Sequence, residues 1–129
     1  MSTEPRWINK TALVLLHDES LALFGGASGL RDEGLLDSAL GRPVNQHLYV
    51  ADTDLAALAA AYGHGLAKNH PFIDGNKRAA FLAIGLFLHL NGQRLRASQV
   101  DAIQTILALA AGHLSEGQLA DWIRANLAP

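Results

Sequence analysis

DLAALAAAYGHGLAKNHPFIDGNKRAAFLAIGLFLHL, residues 54–90, decides the fold. Its first part places Leu55, Leu58, Ala59, Tyr62 and Leu66 at the i, i+3, i+4, i+7, i+11 spacing of one buried helical face, in a helix opened by Asp52 or Thr53. The many alanines imply close helix–helix approach. Its last part, Lys77 to Leu90, is apolar all round, which predicts a central helix surrounded by the others and stopped by Asn91-Gly92. Between the two lies the most polar stretch of the region, Lys68 to Arg78. Pro71 ends the first helix, Asp74-Gly75-Asn76 makes a tight turn, and the next helix starts near Asn76 or Lys77.

Helical spacing continues outward. Asn9 caps a helix with apolar positions at Ala12, Leu15, Leu16 and Leu23, stopped by Gly25-Gly26. Asp32 caps a short helix through Leu35, Leu36 and Leu40 that ends before Pro43, because the residue ahead of a proline avoids helical geometry. From Arg42 to Asp52 no helical period is visible, and Leu48-Tyr49-Val50 has strand-like composition. This predicts an extended or hairpin flap that could offer a sheet edge to a peptide. Two more helices are expected, about Ser98 to Ala111 and Ser115 to Leu127. The second opens with the capping box Ser115-x-x-Gln118 and buries Leu119, Trp122 and Ile123. The expected architecture is one all-α domain over residues 1–129, a compact bundle of about six helices with a short non-helical flap segment.

Composition narrows the function. Half of the 129 residues are apolar and 17% are charged, enough to bury a core. Ten Lys plus Arg against twelve Asp plus Glu give a net charge of −2, without the positive excess expected of direct nucleic-acid or anionic-membrane binding. The absence of cysteine excludes disulfide scaffolds, thiol catalysis and thiolate metal sites, and suits a reducing compartment. The longest apolar stretch, Ala79 to Leu90, has 12 residues, against roughly 20 needed to span a bilayer. With no signal-peptide pattern, a cytoplasmic location and no membrane association are expected.

The polar turn concentrates the candidate chemistry. Backbone N–H groups at Gly75, Asn76, Lys77 and Arg78 would point into the turn at the positive end of a helix dipole, a ready anion site. Lys77 and Arg78 sit in a first helical turn, where the dipole disfavours cations unless an anion is near. Gly75 admits close approach, His70 is an imidazole with a near-neutral ordinary pKa, and Asp74 is a hard oxygen ligand of the kind Mg²⁺ prefers. Residue chemistry alone leaves two readings open. One is a phosphoryl-transfer site; the other is a solvated turn in which His70 caps one helix, Asp74 caps the next, and Phe72 anchors the loop in the core.

Other sites have weaker footing. The six histidines, His17, His47, His64, His70, His89 and His113, include no i, i+4 pair of the helical zinc type. His64 and His89 read as structural histidines, and Gly63-x-Gly65 as a point of close helix packing rather than a dinucleotide fingerprint.

His70-Pro71-Phe72-Ile73-Asp74-Gly75-Asn76-Lys77-Arg78 resembles the signature of the Fic/Doc superfamily, in particular its death-on-curing (Doc) toxin branch. Gly29 to Leu40 upstream and Phe87-Leu88-x-Leu90-Asn91-Gly92 downstream are also similar to that branch. The resemblance implies that His70 is the general base for a target hydroxyl and that Asp74 holds Mg²⁺ on the phosphates of ATP. It implies an anion hole from Asn76 and the amides around Gly75, with Arg78 neutralising phosphate charge and Lys77 contacting the phosphates. Phe72 remains the anchor of the loop.

The adenylylating Fic pattern has glycine where this chain has Lys77 and a second arginine where it has Phe81. In the Doc branch, which shares the lysine, the implied activity is phosphorylation of a threonine of translation elongation factor Tu, arresting protein synthesis. The alternatives are a nucleotidyltransferase acting on a protein hydroxyl and a catalytically inactive binding module. The inhibitory pattern Ser/Thr-x-x-x-Glu-Gly/Asn finds no match here, since Gly29 and Gly112 stand four residues ahead of Glu33-Gly34 and Glu116-Gly117. The implied restraint is therefore a Phd-like antitoxin whose disordered segment folds as an amphipathic helix in a groove of the bundle.

Overall fold

The computed structural model describes residues 4–129. Its helices are α1 (Lys10–Phe24), α2 (Glu33–Tyr49), α3 (Leu55–Asn69), α4 (Asn76–Leu90), α5 (Gln99–Ala110) and α6 (Glu116–Ala125). Two short strands, β1 (Arg94–Leu95) and β2 (Leu127–Ala128), pair antiparallel and tie the last residues to the α4–α5 connection. This is the all-α bundle of six helices that the periodicity predicts. Five helices begin with a side-chain oxygen accepting a backbone N–H: Asn9, Asp32, Asp54, Ser98 and Ser115, the last in a complete capping box. Only α4 begins without one, at Gly75.

The hub is α3, not α4. It packs on α2, α4, α5 and α6, and ten of its residues, from Ala56 to Ala67, are buried. By contrast, α4 exposes Phe81, Gly85 and His89. Alanine and glycine make α3 narrow enough for neighbours on every side. A Cβ on Gly65 would lie 3.3 Å from the Cα of Ala39 in α2, and one on Gly63 only 2.6 Å from the Ile84 side chain in α4. The N-cap of α3 is Asp54 rather than Asp52 or Thr53, and its carboxylate also takes a two-pronged ion pair from Arg124 of α6 at 2.7 and 3.0 Å.

The expected end of α2 before Pro43, and the flap from Arg42 to Asp52, are overturned: the helix runs through the proline to Tyr49. Pro43 lies on the buried stripe Leu36, Ala39, Pro43, so packing against α3 outweighs the missing N–H, a local penalty of roughly 3 kcal/mol. The extended stretch beside the polar turn lies elsewhere, between α1 and α2. There Leu30 forms an antiparallel bridge with Phe72; Ile73 N–H donates to Gly29 O at 3.0 Å, and Arg31 N–H to Pro71 O at 2.7 Å.

The core face of α1 also differs from its expected apolar set. Leu13, His17, Ser20 and Leu21 face inward, while Leu15 and Leu23 are exposed. A histidine and a serine thus occupy core positions opposite the turn. Among the described residues no helix is long and apolar enough to cross a membrane.

Candidate active site

α3 ends at His70, whose backbone is left-handed (φ 49°, ψ 55°), a conformation that costs a residue with a Cβ about 1 kcal/mol. Its neighbours hold it there. The His70 N–H donates to Leu66 O at 3.3 Å, and the Arg31 guanidinium donates from Nε to His70 O at 2.7 Å and from Nη2 to Asn69 O at 2.8 Å. Asn69 in turn donates from Nδ2 to Leu35 O at 3.0 Å. The exposed His70 imidazole therefore sits on a backbone fixed from three sides. Backbone strain of this kind concentrates at functional positions.

Phe72 is only 1% exposed, its ring 4.0 Å from that of His17. The Asn76 side chain is spent inside the loop: Oδ1 accepts from Phe72 N–H at 2.9 Å and Nδ2 donates to Phe72 O at 3.0 Å. What Asn76 can offer an anion is thus its backbone N–H, not its amide group.

Asp74 is exposed at the tip of the turn. One carboxylate oxygen accepts from Gly75 N–H at 2.9 Å, the other from Ala27 N–H at 3.3 Å, and its carbonyl accepts from His17 Nε2 at 2.9 Å. Gly26 (φ 127°) lets the α1–α2 segment come this close, because a Cβ there would lie 3.0 Å from the carboxylate and 2.7 Å from Leu21. Gly75 is left-handed (φ 75°), and a Cβ on it would strike the His17 ring at 2.8 Å.

α4 starts with no side-chain cap, so the amides of its first turn are left without a side-chain acceptor, with the dipole behind them. Lys77 is exposed and forms no ion pair among the described residues. Arg78 packs its guanidinium 5.0 Å over the Phe24 ring, and its Nη1 is buried with no acceptor. Beside it opens a cleft of about 480 Å³, walled by Phe24, Phe81, Ile103, Ile106 and Leu107.

A donor array with one buried guanidinium nitrogen lacking an acceptor is suited to a multiply charged anion. Among the described residues no three His, Asp or Glu side chains cluster as a metal cage. Mg²⁺ is commonly held by one or two carboxylates together with substrate phosphates, so the lone exposed Asp74 carboxylate beside these donors fits that ion in the company of a nucleotide.

A family model described as Fic/DOC family matches residues 7–88, which span α1 to α4 and the whole turn. The chain belongs to the Fic/DOC family. Protein kinase doc of Escherichia phage P1 is 35% identical over 119 residues, covering 92% of this chain and 94% of that protein. Toxin Doc of Mycolicibacterium smegmatis is 44% identical over 87 residues, 65% of this chain and 66% of that protein.

Two residues of this Fic/DOC site were not singled out by sequence reasoning. Arg31 lies 39 positions from the backbone it braces, so no local pattern links them. His17 did leave a signal: it falls four residues from both Leu13 and Leu21 and shares their buried side of α1. Burial holds its pKa below the ordinary value, against the opposing pull of the Asp74 carbonyl.

Proposed function

We propose that this chain is the toxin of a toxin–antitoxin pair and acts as a protein kinase. It would move the γ-phosphate of ATP to a threonine or serine hydroxyl of a protein, with translation elongation factor Tu as the substrate. His70 takes the proton from the attacking hydroxyl. The hydroxyl oxygen forms a bond to phosphorus as the bond to the β-phosphate oxygen breaks, and ADP leaves. Lys77, Arg78 and the first amides of α4 take up the phosphate charge. Asp74 would hold Mg²⁺, which supplies charge neutralisation on the outer phosphates when bound.

The buried, unpartnered Nη1 of Arg78 at an uncapped helix start carries this proposal, since a solvated turn has no reason to keep a guanidinium nitrogen dry and unmatched. The names of the two relatives, a protein kinase and a toxin, support the same activity and role. Phe81 supports phosphoryl rather than nucleotidyl transfer, because it lines the apolar cleft where a second arginine would bring charge. The extended stretch Gly25 to Arg31, hydrogen-bonded to the loop after His70, is the edge along which the substrate peptide would lie.

The apolar cleft suits the antitoxin. Phe24, Ile103 and Leu107 expose large apolar side chains around it, the surface an amphipathic helix covers. A helix seated there would also cover Arg78.

The test is incubation of the purified chain with elongation factor Tu and ATP labelled at either the α- or the γ-phosphate. Label from the γ-position alone is expected on a hydroxyl residue of the factor. Transfer of α-label would make the chain a nucleotidyltransferase, and transfer of neither, with no binding of Mg-ATP by calorimetry, would make it a binding module.

A further inference from the structure

Three polar side chains are buried among the described residues: His17, Ser20 and Thr105. Thr105 is satisfied within its own helix, donating to Asp101 O at 2.8 Å. His17 instead reaches out of α1 to a turn 57 residues away. It is 1% exposed, and its Nδ1 finds no partner. An unpartnered buried nitrogen costs about 1–3 kcal/mol, so a leucine between Leu13 and Leu21 would serve the core better. Packing alone does not account for a histidine here.

Its contacts fall on the Asp74–Gly75 peptide. Nε2 donates to the Asp74 carbonyl at 2.9 Å, the ring face meets Phe72, and the ring edge fills the space that a Gly75 Cβ would need. In a trans peptide the C=O and the N–H point in opposite directions. Holding the carbonyl inward on His17 therefore turns the Gly75 N–H outward, where a carboxylate oxygen of Asp74 accepts it at 2.9 Å. One hydrogen bond from α1 thus sets both the left-handed Gly75 and the outward carboxylate.

We infer that His17 is a positioning residue for the phosphate-binding turn: its Nε2–H fixes the Asp74–Gly75 peptide, and through it the Asp74 carboxylate and the first amides of α4. The inference rests on the phosphoryl-transfer reading of the site. Its physical content, the orientation of one peptide, can be read without any ligand.

Gln and Asn separate reach from polarity. A glutamine amide nitrogen reaches about as far as Nε2, an asparagine only as far as Nδ1. In His17→Gln, the amide resonances of Gly75, Asn76 and Lys77 in the free protein should stay close to those of the unsubstituted chain, with kcat/KM for Mg-ATP also retained. In His17→Asn those resonances should move, and kcat/KM should fall about tenfold to hundredfold with a raised Mg²⁺ requirement. If His17→Asn does not fold, His17→Leu takes its place, filling the core without a donor, and must show the same displaced amides. Equal resonances in the Gln and Asn (or Leu) variants would overturn the inference. If the unsubstituted chain transfers no phosphate, the kinase reading falls, and the amide resonances alone decide the role of His17.

Discussion

The two halves of the α3–α4 turn are built in opposite ways. From Asn69 to Asp74, most of the polar backbone groups are tied, to Leu66, Arg31, Asp32, Gly29, Asn76 and His17. From Asn76 to Arg78, the helix start is uncapped, Lys77 is free of ion pairs among the described residues, and Arg78 Nη1 has no acceptor. The contrast is what phosphoryl transfer to a hydroxyl asks of a site. A base is effective when its geometry is fixed before the reaction, whereas a phosphate-binding element must keep its donors unspent until the ligand arrives.

The largest effect is expected on the braced half, at the proposed base. His70→Ala should lower phosphoryl transfer by about 10² to 10⁴, measured with γ-labelled ATP, while circular dichroism remains that of the unsubstituted chain. His70→Gly should be equally inactive yet about 1 kcal/mol more stable than His70→Ala in urea, because glycine removes the left-handed strain. Near-normal transfer in either variant would take His70 out of the mechanism.

On the open half, Lys77→Gly should remove the proposed charge-assisted contact to the outer phosphates, about 1.5–3 kcal/mol, and so lower kcat/KM tenfold to hundredfold. Efficient adenylylation should not appear in its place, because Phe81 still supplies no second positive charge. Unchanged phosphorylation kinetics would show that this residue does not select the reaction. Arg31→Ala tests the brace itself. Losing its bonds to the His70 and Asn69 carbonyls should reduce kcat about tenfold with little change in Mg-ATP affinity by calorimetry. A matched loss of nucleotide binding would mean that the two halves are not independent.

This contrast was only half legible in the sequence. The turn, the start of α4 and the cations within it are local, and Asp74-Gly75-Asn76 after Pro71 reports them directly. The bracing is non-local, since Arg31 and His17 act across 39 and 57 positions. Pro43 misled because its local penalty is real but smaller than what α2 gains by lying along α3. With α2 continuous to Tyr49, the extended edge falls instead at Gly29 to Arg31, whose glycine-rich approach reads in sequence as an ordinary loop. Hydropathy points to α4 as the hub because Ala59, Ala60 and Ala61 carry little of it each, although their small size is what lets α3 be surrounded.

The smallest expected effect concerns acid. His17 under the turn and His64 on α3 both have their pKa lowered, chiefly by burial; at His64 the Arg42 and Lys68 charges add to the lowering and Glu116 opposes it. Their folded values thus lie below the unfolded value of about 6.5. Between those values the unfolded chain binds more protons, so the stability each histidine contributes is complete above about pH 6.5 and is lost as the pH falls through the window. Asp54, held below the ordinary carboxylate range by Arg124, changes stability in the same direction but only below about pH 4, outside this window. Urea midpoints should therefore decline from about pH 7 to pH 5. His64→Gln should make that decline shallower without moving the Gly75 amide resonance, whereas protonation of the remaining His17 should move it. A midpoint that stays level or rises on acidification over this range would show that neither histidine is kept neutral by the fold, and would weaken the contrast from which the site is read.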